Sequence, residues 1–402
     1  MINIITRSKS FYQQNSDSVD SIKALIMNFL NVNKFNALTN DLSGNCFPVQ
    51  SDDNQINSLQ KFYSIGTFFY HVAYFVITFQ GAISFLTLKT VHDSVITLMV
   101  SAEVIILTIH IQYHRHKYHS LITNFNLILN IQSDVLKDFI FNSVNPIVKV
   151  FKMYTFFSMS SIIIWAFMPI FAVFNKNNFT MNDFRLPIGF FNWQSFGIQI
   201  FLTGFMIQLV GCIYNGFKKA AINIYIVHFI ALLIGQYLYL QYRLAAIFHN
   251  STNEELMEEL KQLLNQHRIV VKIAKEFPKL FFINTTITYI NATLNFCVMG
   301  FMLLTMSGSY FERSLVATYF GGLFVEVYIM CASVDRLQEL SVSITKEAFG
   351  EPWYNRELYI QKLFAIIMST NMMECKLSTC GPINLSLINL KTVRILLLEF
   401  LF

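Results

Sequence analysis

Long apolar runs recur along the chain: Phe62–Leu88, Thr90–Gln112, Val150–Phe174, Gln194–Phe217, Leu280–Thr305, Ser314–Val334 and a last run ending at Phe402. A helix needs roughly 20 predominantly apolar residues to cross the hydrocarbon core of a bilayer. The pattern therefore predicts an all-α membrane protein with seven transmembrane helices, at about 62–88, 90–112, 150–174, 194–217, 280–305, 314–334 and 382–402. The polar positions between these runs give the orientation. Arg115, Lys117, Lys137, Lys149 and Lys152 lie between spans two and three, and Lys218, Lys219, Arg243, Lys261, Arg268, Lys272, Lys275 and Lys279 between spans four and five. The alternate connections hold only Lys89, then Lys176 and Arg185, then Arg313. Positive charge marks the cytoplasmic side, so the expected topology has a cytoplasmic N-terminus and an extracellular C-terminus, the reverse of a G-protein-coupled receptor.

Several helices are expected to outrun the membrane. Apolar character continues past Lys218–Lys219 to about Phe248 without a proline, which places the two lysines near the headgroups and a cytoplasmic helix over 218–248. A return helix over 254–279 follows a Thr252-x-x-Glu255 capping box. Its residues Leu256, Leu260, Leu263, His267, Val270, Ala274 and Phe277 fall at alternating spacings of four and three and make one apolar face. A third cytoplasmic helical stretch is expected over 335–372. Helical periodicity also runs through Leu121–Leu136 and through Val19–Leu38, the latter ended by Asn45 and Pro48. Residues 1–61 read as a cytoplasmic arm and 62–402 as the membrane unit.

Composition narrows the class. Hydrophobic residues make up 54% of the 402-residue chain and charged residues 13%, against roughly 25% charged in an average soluble domain. The net charge of +5 belongs to the inner loops, and no basic stripe interleaved with aromatics offers a nucleic-acid surface. The six cysteines do not form a pattern of extracellular pairs or a zinc spacing. His110 and His114 share a helix face, yet no cysteine or carboxylate stands near them to complete a metal site. No paired carboxylates, nucleophile–base motif or phosphate-cradling loop occurs in a suitable context, so neither enzymatic activity nor a cofactor is expected. Gly321-Gly322 suits close helix approach. Asp335-Arg336 reads as an intersubunit or intrahelical pair. Asn178-Phe179-Thr180 is a glycosylation sequon on the longest outer connection, which makes Asn178 the candidate acceptor.

Three charged features sit within the apolar runs. Glu103 and Glu326 lie about ten residues or more from their span ends, where ionisable groups mark functional positions by default. Either they are held in structural hydrogen bonds, or they serve gating or packing between subunits. Lys391 and Arg394, three apart on one face of the last run, would each cost ~2.5–3.5 kcal/mol at mid-bilayer depth on insertion scales.

The C-terminal third carries the sharpest motif. Glu351-Pro-Trp-Tyr354 precedes an amphipathic stretch Leu358–Met368, then Cys375-Lys-Leu-Ser-Thr-Cys-Gly381, then Leu385-Ser-Leu387 opening the last apolar run. With Trp165, Pro169 and the long fourth helix bearing Gln208, Tyr225, His228, Gln236 and Arg243-Leu244, this order resembles the insect odorant receptor family over the whole chain. Ser378-Thr379-Cys380 replaces that family's commoner small-residue turn. The resemblance implies a tetrameric, ligand-gated, non-selective cation channel in the plasma membrane of olfactory neuron dendrites, joined through its cytoplasmic helix ends. It also implies a ligand-tuning subunit that partners the co-receptor in a heterotetramer, because the two long helices meet at His249–Asn253 with no room for the co-receptor's insertion.

By the same resemblance a small volatile ligand binds among the second to sixth helices, with Thr97, Ser161, Trp165, Met168, Ile200, Phe201, Thr318 and Tyr319 as candidate contacts, each also readable as plain packing. The last helix lines the pore, with Leu387, Lys391, Arg394 and Leu398 as candidates. Two basic residues there would repel a cation, so this helix is either a truncated or misjoined product, an atypical pore wall, or a pore-silent wall beside three normal ones. A gustatory receptor channel is the runner-up, weakened by the absence of that family's Thr-Tyr…Gln-Phe ending. A transporter or a metabotropic receptor ranks last.

Overall fold

The computed structural model describes residues 27–51, 57–84, 88–131, 133–174, 178–186, 195–250, 253–305, 310–350 and 352–370. These residues are almost all helical: α1 (Phe29–Val32), α2 (Lys34–Ser43), α3 (Ser58–Ser84), α4 (Leu88–Tyr113), α5 (Arg115–Leu129), α6 (Asp134–Phe167), α7 (Ile198–Asn250), α8 (Asn253–Thr305), α9 (Tyr310–Gly350) and α10 (Leu358–Thr370). Six of the described helices, α3, α4, α6, α7, α8 and α9, are long and apolar enough to cross a membrane. The expected last span, 382–402, lies outside the described residues, together with the Cys375–Gly381 turn.

Helix α7 is the axis of the fold. It runs 53 residues without interruption, about 80 Å at 1.5 Å per residue. Its apolar window is 94% buried, against 22% for α3 and 17% for α6. An apolar helix buried all round belongs to the middle of a bundle, whereas α3 and α6 present much of their apolar surface outward, as lipid-facing helices do. Helix α6 packs along α7, with α9, α2, α8 and α4 arranged around the remainder. Gly235 permits the closest approach of α6: a Cβ there would lie 3.1 Å from Ile140 Cα.

The amino-terminal arm is not one helix. Asn33 ends α1, and its side chain accepts the Asn36 backbone N–H to start α2. That satisfies one of the orphan donors of a helix start and interrupts the continuous helix that the Val19–Leu38 periodicity predicts. Gly44, at φ 67°, closes α2 in the left-handed conformation that glycine adopts without a Cβ clash. The arm then docks on the bundle. Phe29 stacks on His228 with centroids 4.4 Å apart, the Asn36 amide bonds His228 Nδ1 at 2.8 Å, and Tyr225 donates to the Pro48 carbonyl at 2.7 Å. Arg115 donates to the Cys46 carbonyl at 2.7 Å.

The Leu121–Leu136 periodicity is interrupted in the same way. Helix α5 ends at Leu129, and Ser133 accepts the Leu136 N–H to begin α6. Helix α5 lies against α8, where Asn284 donates to the Tyr118 hydroxyl at 3.2 Å. Burial raises the Tyr118 pKa, so this hydroxyl stays protonated. The apolar face read along the first half of α8 is observed: Leu256, Leu260, Leu263, His267, Val270, Ala274 and Phe277 are all buried.

Candidate ligand-binding cavity

Five helices, α4, α6, α7, α8 and α9, diverge enough to leave a cavity of about 140 Å³ between them. Much of its wall is apolar, with Ile96, Val100, Ile162, Trp165, Met299 and Leu323 contributing. One part is strongly polar. Lys219 of α7 reaches the cavity and stands between two carboxylates, Glu103 of α4 and Glu326 of α9. Its ammonium bonds Glu103 Oε1 and lies 3.1 Å from Glu326 Oε1. Tyr154 of α6 donates to Glu326 Oε2 at 2.5 Å, and Asn291 of α8 donates to Glu103 Oε2. Both glutamates are 1–2% exposed.

An isolated charge in such a place would be costly, and pairing with further hydrogen bonds is what makes burial tolerable. Every helix around the cavity contributes to this network. The lysine was expected at the headgroups. Its side chain is buried within the bundle, because carboxylates from two neighbouring helices converge on it. Lys218 is buried as well, donating to Asn45 of the arm at 3.2 Å.

The other end of the cavity approaches the segments beside the start of α7. Asp93, in the wall, lies 3.9 Å from the Arg185 guanidinium. Arg185 also donates to Glu312 Oε1 at 2.8 Å. Phe179 pairs with Phe196 through an antiparallel bridge and stacks on Phe201 with centroids 4.4 Å apart; Phe184 stacks on the other side at 5.0 Å.

Of the candidate ligand contacts, Thr97, Ser161, Trp165 and Tyr319 line the cavity. Phe201 is fully buried in the aromatic stack, with Ile200 packed beside it. Met168 lies against Arg185, and Thr318 is exposed, its hydroxyl bonded to the Ser314 carbonyl at 2.8 Å. Asn178 is exposed. The pore candidates Leu387, Lys391, Arg394 and Leu398 lie outside the described residues. Sequence reasoning singled out Glu103 and Glu326 but missed Lys219, Tyr154, Asn291 and Asn295 as cavity groups. The available signal was Asn291 and Asn295, four apart and hence on one face of an otherwise apolar helix. Among the described residues no group of three or more His, Cys, Asp or Glu side chains could hold a metal ion, and the rings of His110 and His114 simply meet edge to face at 4.8 Å.

The family model described as 7tm Odorant receptor matches residues 87–395 of this chain. The chain belongs to the odorant receptor family. This is a family of membrane receptors and not of enzymes. The fold of the receptor is that of the insect olfactory receptor OR5 from Machilis hrabei, with a TM-score of 0.75 at 8% identity over 93% of this chain and 98% of that one. The structure of the same Machilis hrabei receptor in complex with eugenol aligns with a TM-score of 0.68 at 10% identity, again over 93% and 98% of the two chains. No curated protein matches this receptor in sequence.

Proposed function

We propose that this odorant receptor is a ligand-tuning subunit that binds a small, mostly apolar volatile molecule in the cavity between α4, α6, α7, α8 and α9. With a co-receptor it opens a non-selective cation channel in the plasma membrane of olfactory neuron dendrites. The observation that carries this reading is the cavity itself. It lies among membrane-length helices, is largely apolar, and has a few fixed polar groups, the composition expected of a small-molecule site. The fold likeness to a receptor solved with eugenol supports it. Thr97, Ser161, Trp165 and Tyr319 are the proposed ligand contacts among those read from sequence.

The proposed topology keeps the N-terminal arm, residues 1–61, cytoplasmic, with residues 62–402 as the channel unit, a seventh helix over 382–402 and an extracellular C-terminus. The segment holding Arg185 and the exposed Asn178 is then extracellular, which makes Asn178 available for glycosylation. Leu387, Lys391, Arg394 and Leu398 would face the pore. A ligand opens the channel only through tighter binding to the open arrangement than to the closed one.

The test is whole-cell current in cells expressing this chain with an insect co-receptor, challenged with a volatile panel while G-protein signalling is blocked. Current that requires this chain, and that Trp165→Ala or Tyr319→Ala shifts to higher odorant concentration, is the expected result. Unchanged dose–response curves in both variants would place the ligand elsewhere. Silence with surface expression verified would turn attention to the basic last helix.

A further inference from the structure

The polar part of the cavity wall is not symmetric in donors and acceptors. A carboxylate can only accept, so Glu103 fixes the orientation of the Asn291 amide with its Nδ2 toward the acid. The Asn291 Oδ1 then accepts from Asn295 Nδ2 at 3.0 Å, and the same Nδ2 donates to the Asn291 backbone carbonyl at 2.9 Å. This relay leaves one atom over. Asn295 Oδ1, on a cavity residue 1% exposed, has no hydrogen-bond partner among the described residues.

Two further wall residues repeat the pattern. Asn215, 5% exposed, donates its Nδ2 to Ser101 Oγ at 3.0 Å, and its Oδ1 is left over. Thr155, 8% exposed, has an unpartnered Oγ1, a hydroxyl that can accept from a ligand O–H and can also donate to a ligand oxygen. The charged groups, by contrast, are paired, although Glu326 Oε1 meets Lys219 as an ion pair without a hydrogen bond. Lys219 lies against one oxygen of each glutamate, while Asn291 and Tyr154 donate to the other two. A second cation is not called for, but a neutral donor is.

We propose that the cavity selects an apolar ligand ending in a single hydroxyl, an alcohol or a phenol, whose O–H donates to the acceptor wall centred on Asn295. This rests on the reading of the cavity as the ligand site. A hydroxyl gives Asn295 Oδ1 its missing partner. An aldehyde or ketone of the same size brings only another acceptor, and a hydrocarbon leaves the amide oxygen unsatisfied. The volume of about 140 Å³ is close to that of an engineered cavity of about 150 Å³ that takes benzene, so single-ring probes fit the space.

The experiment compares benzyl alcohol, benzaldehyde and toluene on the full chain. One readout is current with co-receptor; the other is the ligand-induced rise in Tm of the purified receptor in lipid nanodiscs. Benzyl alcohol is expected to act at concentrations about tenfold or more below the other two, the size of one recovered hydrogen bond. Asn295→Leu is expected to abolish that advantage, so that the three probes act at similar concentrations. Thr155→Val, an isosteric change, serves where Asn295→Leu fails to fold, and is expected to narrow the advantage of benzyl alcohol over toluene about threefold. Equal potency of the three probes, or an alcohol preference that survives these variants, would overturn the selection for a hydroxyl and leave the cavity as ligand site intact. If none of the three raises Tm or evokes current while some other odorant does so independently of Trp165 and Tyr319, the cavity reading fails and this inference falls with it.

Discussion

Helix α7 passes through two regions built in different ways. Around Phe229 the space is filled by rings. Phe29, Tyr225, Phe281 and Phe125 have centroids 4.7, 5.2, 5.3 and 5.8 Å from it, within the range of favourable aromatic pairs. Around Lys219, ten residues earlier, the neighbouring helices leave a void, and the bundle is tied across it by an ion-paired network. The first region holds its helices together by area, non-directionally and redundantly. The second holds them by a few directional bonds, which leaves room for a guest. Dense aromatic packing suits an anchor. Sparse, directional ties suit a site whose helices must accommodate another molecule.

The comparison can be broken most forcefully at Lys219. Lys219→Met would leave Glu103 and Glu326 buried without their shared cation, and should cost about 3–5 kcal/mol of stability. The loss should appear as a large drop in Tm of the purified receptor and in surface expression. A triple replacement that also removes both acids should recover much of it. Next in size is Tyr225→Phe, which strips the arm's Pro48 carbonyl of its donor in the ring-filled region. A loss of about 1–3 kcal/mol is expected, read by thermal unfolding, with no change in ligand selectivity.

Ile162→Val in the cavity wall should cost only about 0.5–1.5 kcal/mol yet shift the dose–response to bulky odorants, because it enlarges the space a ligand fills. The smallest effect is expected from Arg336→Ala. It removes a half-exposed ion pair with Glu339 at 2.8 Å, worth under about 1 kcal/mol and less as salt rises. A Tyr225→Phe receptor with altered selectivity, or an Ile162→Val receptor with unaltered dose–response, would erase the distinction between the two regions.

What could be read from sequence follows the same division. Local periodicity was enough for the buried face of α8 from Leu256 to Phe277, and for α7 continuing past its two lysines, since each depends on spacing along one helix. The breaks at Asn33 and Ser133 are also local, but polar residues of this kind occur inside helices too, and only the capping bonds make them boundaries. Lys219 was out of reach for another reason. Its environment depends on which faces of α4 and α9 turn toward α7, and no spacing along a single helix contains that. The same holds for the acceptor on Asn295, which becomes unpartnered only after Glu103 has fixed the amide beside it.

The unbroken length of α7 has a mechanical side. A proline-free helix of about 80 Å that borders the cavity near its first third and is gripped by rings around Phe229 behaves as a lever with its fulcrum in the packed region. Turning such a rod by one degree moves its far end, about 32 Å from Phe229 at 1.5 Å per residue, by about 0.6 Å. A guest that spreads the cavity walls by a fraction of an ångström would therefore be felt at the opposite end of the molecule as a displacement of similar size and reversed direction.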